Sequence, residues 1–150
     1  MTLPNRLTLS RFVLTPVFAV SFYLMRVCGQ GAVSAALAVA CMLTYCYMEI
    51  TDLADGKIAR KRGLVTDLGK LFDPFADSVM HLTFFSLFAH FKMIGFAAFY
   101  VILFREVSIL FIRMLSMKAG VVMPANAFGK FKTFFYALLS FLVIAFASVS

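Results

Sequence analysis

Residues 32–51 read AVSAALAVACMLTYCYMEIT, and residues 52–62 continue directly with DLADGKIARKR. The first stretch contains one charged residue, Glu49. A helix needs roughly 20 apolar residues to cross the hydrocarbon core of a bilayer. The sequence therefore predicts a membrane-spanning helix that ends in a turn of carboxylates followed by basic residues.

Apolar runs of this kind recur along the whole chain. The 150 residues are 63% hydrophobic and include 19 Phe and no Trp, a usage far from that of soluble domains. Because the runs recur over the full length, a signal peptide alone does not account for them. The five predicted spans are about 10–26, 32–51, 74–91, 94–112 and 132–149.

These spans predict an all-α fold, a polytopic transmembrane helix bundle that forms a single domain over residues 1–150. Leu3–Thr8 has the pattern of a short interfacial helix that leads into the first span, with Pro4 in its first turn. The three cysteines show no metal-ligand spacing, so we interpret Cys28, Cys41 and Cys46 as packing residues without a disulfide or a zinc site.

The basic residues predict the orientation in the membrane. The net charge of +7 would suggest nucleic-acid binding in a soluble protein, but a membrane protein needs Lys and Arg on its cytoplasmic side. With the N-terminus inside, only Arg26 and Lys92 of the 14 basic residues fall outside. The inner twelve are Arg6, Arg11, Lys57, Arg60, Lys61, Arg62, Lys70, Arg105, Arg113, Lys118, Lys130 and Lys132.

The carboxylates are concentrated in one region, because six of the seven acidic residues lie between positions 49 and 77. A carboxylate at membrane depth costs at least about 2.5 kcal/mol, so such a cluster indicates a functional site. Asp52 and Asp55 are three residues apart and Asp73 and Asp77 four apart, so each pair shares a helix face. Like charges brought together in this way favour divalent cations, by default Mg²⁺; single Asp residues could alternatively cap helices or pair with Lys.

Small and basic residues surround these carboxylates. Gly56, Ala59 and Gly69 would allow close approach of a ligand, or alternatively close packing of helices. Arg60 lies one turn from Gly56 and is the better candidate for a phosphate ligand, whereas its neighbours Lys61 and Arg62 are interpreted as topology anchors.

The region 52–77 resembles the signature of the CDP-alcohol phosphotransferases, DxxDGxxAR(x8)GxxxDxxxD. All eight fixed positions are present at the family's spacing. Leu3–Thr8 with Arg11, the pair Arg105-Glu106, and Gly129–Thr133 are similar to the family branch that makes phosphatidylglycerophosphate. The family usually has six spans and five are visible here, so the resemblance implies either that this sequence stops before a final helix or that the chain lacks that helix.

The resemblance also implies roles for individual residues. Two metal ions, Mg²⁺ or Mn²⁺, would be held by Asp52, Asp55, Asp73 and Asp77, and Asp77 would also be the catalytic base. The cytidine nucleotide would be bound by Asp55, Gly56, Ala59, Arg60, Gly69 and Asp73. The acceptor phosphate would meet Arg105, Arg113, Lys130 and Lys132, although Arg105 could instead make a structural contact with Glu106. His81 is interpreted as a packed core residue.

The implied reaction transfers a phosphatidyl group from CDP-diacylglycerol to glycerol 3-phosphate and releases CMP. Inositol phosphate, serine or a CDP-choline type of reaction are alternatives within the family. The resemblance further implies a homodimer in the bacterial inner membrane, with the active site facing the cytoplasm and no nucleic-acid partner. An ion-transport subunit is disfavoured because the acids lie at one membrane face, and an inactive scaffold because Asp77 is intact.

Overall fold

A computed structural model describes the backbone over residues 3–29, 31–62, 67–120 and 127–149, and side chains over 6–29, 31–52, 71–120 and 134–147. Within these ranges the chain forms five helices and no strand. They are α1 Leu3–Val27, α2 Ala32–Arg62, α3 Asp67–His90, α4 Phe96–Lys118 and α5 Ala127–Val149. The predicted all-α helical membrane bundle is confirmed.

Helix α1 begins at Leu3 and continues without interruption through the first apolar run to Val27. The predicted helix start is thus the first turn of α1 and not a separate element. Pro4 is tolerated there because its missing N–H belongs to a turn whose N–H groups have no partner within the helix.

Contacts at both ends of the bundle give the helix directions. Near the start of α1, Arg11 bonds to Asp52 of α2. Near its end, Arg26 donates from Nη1 to the main-chain oxygen of Ala147 in α5 at 3.1 Å and lies over the Phe91 ring. Helices α1, α3 and α5 therefore run in one direction, and α2 runs in the opposite one.

The apolar core occupies the half of the bundle near the end of α1. It consists mainly of aromatic side chains from α1 and α3; the Phe18 and Phe84 ring centroids are 4.5 Å apart. Cys41 and Met48 of α2 complete this core and are fully buried. Polar buried residues occupy the opposite half, so the aromatic packing supports the site from one side.

The outward faces of the helices carry large apolar side chains, as a lipid environment requires. Val101, Phe104 and Phe146 are 70%, 78% and 70% exposed. Two segments of the described helices, Arg6–Val27 and Ala32–Asp52, are long and apolar enough to cross a bilayer by length and composition. Charged residues interrupt α3 and α4, and these are residues of the candidate site.

Candidate active site

The eight fixed motif positions lie on two helices. Helix α2 continues past the predicted span end at residue 51 to Arg62, and α3 begins at Asp67. The segment from Asp52 to Arg60 is therefore helical, as the predicted shared helix face of Asp52 and Asp55 requires. This geometry keeps Asp52 and Asp55 on neighbouring turns of one helix, and Asp73 and Asp77 on neighbouring turns of another.

Asp52 is held by an arginine from α1. Arg11 donates from Nη1 to Oδ1 of Asp52 across 41 positions of sequence. The Arg11 side chain is 1% exposed and that of Asp52 is 28% exposed. The Arg11 guanidinium is thus enclosed by the protein, while the Asp52 carboxylate that it holds remains open to a ligand.

Asp73 is held from the same turn of α1. The Thr8 hydroxyl donates to Oδ1 of Asp73, which is 65 positions away in the sequence, and Thr8 is fully buried. Asp52 of α2 and Asp73 of α3 are therefore both hydrogen-bonded to side chains of α1.

Asp77 is accompanied by His81 one turn further along α3. Nδ1 of His81 lies 2.9 Å from the main-chain oxygen of Asp77 and 3.1 Å from its Oδ1. Both of these atoms are acceptors, so Nδ1 carries the proton. The His81 ring is 1% exposed and its centroid is 5.3 Å from that of Tyr136 in α5.

The side chains of three of the four motif aspartates can thus be located, and two of them, Asp52 and Asp77, interact electrostatically. Asp52 interacts with Asp77, with Arg11 and with His81. The like charges of Asp52 and Asp77 repel each other, and a bound cation would remove this repulsion. Glu49, one turn before Asp52, interacts with the same two aspartates.

These carboxylates supply the hard oxygen ligands that Mg²⁺ and Mn²⁺ prefer, so their chemistry fits a divalent cation. Among the described residues, no group of three or more His, Cys, Asp or Glu side chains is close enough to hold a metal ion. Asp55, the fourth motif carboxylate, lies outside the described side chains.

The predicted nucleotide residues fall largely outside the described side chains. Gly56, Ala59 and Arg60 belong to α2 and Gly69 to α3, but only their helical backbone is described. Asp73 is the residue of this predicted set whose side chain the structure describes.

Of the predicted acceptor residues, Arg105 and Arg113 are both on α4. Arg105 donates to Oε1 of its neighbour Glu106 at 2.5 Å. Glu106 is 3% exposed and accepts a second bond at Oε2 from Ser78 of α3, at 3.2 Å. This pair links α4 to the helix of Asp73 and Asp77, while the Arg105 side chain remains 38% exposed. Lys130 and Lys132 lie on α5 outside the described side chains.

Sequence reasoning missed part of this site. The interpretation of His81 as a packed core residue agrees with its burial and its ring contact with Tyr136, but it did not include the contact with Asp77, and Glu49 received no role. Both lie at helical spacing from a motif aspartate, four residues after Asp77 and three before Asp52, which is the signal that could have identified them. Oε1 of Glu49 is buried and has no hydrogen-bond partner among the described residues.

The chain is similar in sequence to several known proteins. The sequence model of the family described as CDP-alcohol phosphatidyltransferase matches residues 1–150. A CDP-diacylglycerol–glycerol-3-phosphate 3-phosphatidyltransferase of Bacillus subtilis is 32% identical over 137 residues, 87% of this chain and 70% of the relative. A probable phosphatidylglycerophosphate synthase of Mycobacterium tuberculosis is 37% identical over 141 residues, 91% of this chain and 62% of the relative.

A third relative, from Treponema pallidum and with the same name as the Bacillus protein, is 36% identical over 100 residues. That match covers 67% of this chain and 46% of the relative. The chain thus spans about half to two thirds of the length of several relatives that it matches.

Proposed function

The chain belongs to the CDP-alcohol phosphatidyltransferase family, and from this premise we propose that it transfers a phosphatidyl group from CDP-diacylglycerol to glycerol 3-phosphate. The acceptor hydroxyl would attack the phosphorus that carries diacylglycerol, and the anhydride bond to CMP would break. The observation that carries this proposal is that one turn of α1 binds aspartates of both α2 and α3, Asp52 and Asp73, and that Asp77 of α3 interacts with Asp52. The names of the relatives support the choice of donor and acceptor.

The family is generally metal-dependent, and the aspartates are the residues that would hold the metal. We assign Asp52, Asp55, Asp73 and Asp77 to two Mg²⁺ or Mn²⁺ ions. When bound, such ions neutralise charge on a transferring phosphoryl group and orient its oxygens.

Asp77 would accept the proton of the attacking hydroxyl. Nδ1 of His81 lies 3.1 Å from Oδ1 of Asp77, close enough to interact with the carboxylate, and the Asp77 side chain is still 23% exposed and therefore open to an acceptor. The cytidine nucleotide would lie against Asp55, Gly56, Ala59, Arg60, Gly69 and Asp73.

The acceptor phosphate would bind to basic residues of α4 and α5. Arg105 is suited to this role because it is partly exposed and its charge is held beside α3 by Glu106. Arg113, Lys130 and Lys132 would complete the phosphate site. This set favours a phosphorylated acceptor over serine, which lacks a phosphate group.

The proposed setting is the bacterial inner membrane, with the N-terminus and the active site facing the cytoplasm, and with the protein acting as a homodimer. The acyl chains of the donor would remain in lipid while its water-soluble head reaches the aspartates.

The test is CMP release by purified protein given CDP-diacylglycerol and Mg²⁺ with one acceptor at a time: glycerol 3-phosphate, inositol phosphate or serine. We expect glycerol 3-phosphate to give the fastest release, and excess chelator to abolish it until Mg²⁺ or Mn²⁺ is restored. Faster release with another acceptor would reassign the substrate. Turnover that persists in excess chelator would exclude the two-metal site.

A further inference from the structure

One turn of helix α1 reaches the carboxylates of two other helices. Thr8 and Arg11 are three residues apart and therefore share a face of α1. Both are essentially buried, at 0% and 1% exposure. Thr8 bonds to Asp73 of α3 and Arg11 to Asp52 of α2. Neither side chain is therefore available to a soluble ligand, and each acts on the site through an aspartate.

Each contact uses Oδ1 of its aspartate. An ionised carboxylate has about four lone-pair positions over two oxygens, so one such bond leaves Oδ2 and its lone pairs for another ligand. The bond also selects the rotation of the carboxylate group. Polar partners that hold metal-binding carboxylates in this way commonly change metal affinity or activity by about 10–100-fold when they are removed.

We infer that Thr8 and Arg11 are positioning residues that fix the carboxylates of Asp73 and Asp52 for a divalent cation. This inference rests on the proposed function only in assigning these aspartates to the cation. Thr8 and Arg11 therefore set the affinity of the site for the divalent cation, although neither residue is a ligand of that cation.

The two residues differ in how cleanly they can be tested. Removing Arg11 would leave the partly buried Asp52 without its guanidinium partner, which would destabilise the fold as well as disturb the site. Thr8 is neutral and Val has nearly the same shape, so Thr8→Val removes the hydroxyl donor and leaves the packing nearly unchanged. Thr8→Ser retains the donor. Thr8 is therefore the position at which positioning and folding can be separated.

A matched control lies further along the same helix. Thr15 is also a buried threonine of α1, 2% exposed, but its hydroxyl donates to the main-chain oxygen of Arg11 at 2.9 Å. Thr15→Val makes the same chemical change at a hydroxyl whose described hydrogen bond goes to the main chain and not to an aspartate.

The experiment measures Mn²⁺ binding to the purified full chain in detergent, without substrate, from the electron paramagnetic resonance signal of free Mn²⁺. We expect Thr8→Val to weaken binding about tenfold or more, and Thr8→Ser and Thr15→Val to stay within about twofold of the parent. Turnover of Thr8→Val should also need a higher Mg²⁺ concentration for half-activation, with kcat recovering at saturating Mg²⁺.

Equal Mn²⁺ affinity in Thr8→Val and the parent would overturn the inference, whatever the turnover. Equal losses in Thr8→Val and Thr15→Val would also overturn it, since they would indicate a general disturbance of α1. If Thr8→Val does not fold, the smaller Thr8→Ala replaces it, with the same expected loss and the same overturning result. A parent that binds no Mn²⁺ but releases CMP would contradict the metal assignment, whereas a parent that binds Mn²⁺ with the expected Thr8 dependence but releases no CMP would contradict only the proposed reaction.

Discussion

At the scale of single residues, Asp77 has two proposed tasks, as ligand and as base, whereas Asp52 has one. Asp77→Asn preserves the shape of the side chain but removes the proton acceptor. We expect this variant to bind CDP-diacylglycerol with Mg²⁺ while turnover falls by about 10²–10⁴. Asp52→Asn should weaken cation and donor binding together with the rate. The measurements are donor binding at fixed Mg²⁺ and single-turnover CMP release.

Near-normal turnover of Asp77→Asn would exclude this residue as the base. Loss of donor binding as complete as that of Asp52→Asn would assign it to coordination alone. In either case another group would have to take the proton.

His81 gives a second prediction at this scale, because its Nδ1–H bonds to the main-chain oxygen of Asp77 and lies 3.1 Å from Oδ1 of the same residue. His81→Phe keeps the ring but removes the donor, and we expect kcat to fall by on the order of tenfold with little change in KM for either substrate. His81→Gln offers an amide N–H and should retain most of the rate. If the Phe variant keeps the parent rate and the Gln variant does not, His81 contributes packing against Tyr136 and not orientation of Asp77.

The spacing of the aspartates was readable from the sequence, because i,i+3 and i,i+4 neighbours on a helix are fixed by local geometry. The same rule covers His81 and Glu49. The contacts of Thr8 with Asp73 and of Arg11 with Asp52 span 65 and 41 positions. They depend on how three helices pack, which a local pattern does not contain.

At the scale of the helices, apolar runs predicted the number and order of the elements but not their ends. Helix α2 was expected to cross the membrane over 32–51 and extends to Arg62. Hydropathy detects the part of a helix that lies in lipid, whereas main-chain hydrogen bonding continues into water where charged residues follow. The carboxylate motif lies in this extension, so the helix itself sets the spacing of Asp52 and Asp55.

The end of α3 supplies a prediction of stability. Lys92 has φ of 58°, in the left-handed region that disfavours side chains with a Cβ. Its N–H bonds to the Ala89 oxygen at 3.1 Å and that of Met93 to the Phe88 oxygen at 2.8 Å, so the turn is closed by main-chain bonds. We expect Lys92→Gly to be more stable than Lys92→Ala by about 1 kcal/mol, measured by thermal unfolding in detergent.

The Ala variant is the matched control because both substitutions remove the charge, and only Gly removes the Cβ. Equal melting temperatures for the two would show that backbone strain at this turn costs nothing measurable.

At the scale of the whole molecule, the bundle divides into an aromatic half and a polar half. The aromatic core surrounds the ends of α1 and α3, and the aspartates lie towards their starts. Buried polar groups are costly unless they are paired, and Thr8, Arg11, Glu106 and His81 all have polar partners here. The packing of the aromatic half stabilises the fold and offsets the cost of burying charged and polar side chains in the other half.

This polarity predicts how the molecule lies in the membrane. With the aspartates at the cytoplasmic face, the end of α1 must lie outside, and Cys28 is an exposed free thiol there. A membrane-impermeant maleimide added to intact cells should label Cys28. Cys41 is buried and Cys46 half-buried on the apolar part of α2, so neither should compete for the reagent. Cys28→Ser should remove the label.

Helix α4 begins after a five-residue connection from α3, and its Glu106 contacts Ser78 of α3, so α4 runs antiparallel to α3 and ends at the opposite end of the bundle from Cys28. Ala119 follows α4 and is exposed, so Ala119→Cys in the Cys28→Ser background should react only after the cells are permeabilised. The charge distribution places these positions on different sides, because only two of the 14 basic residues, Arg26 and Lys92, belong to the end near Cys28 and the other twelve to the end near Ala119. Because more basic residues belong on the cytoplasmic side, reversed labelling would contradict the charge argument as well as the cytoplasmic active site. Labelling of both positions in intact cells would contradict a membrane between them, and the aspartates would then need another route to a lipid-bound donor.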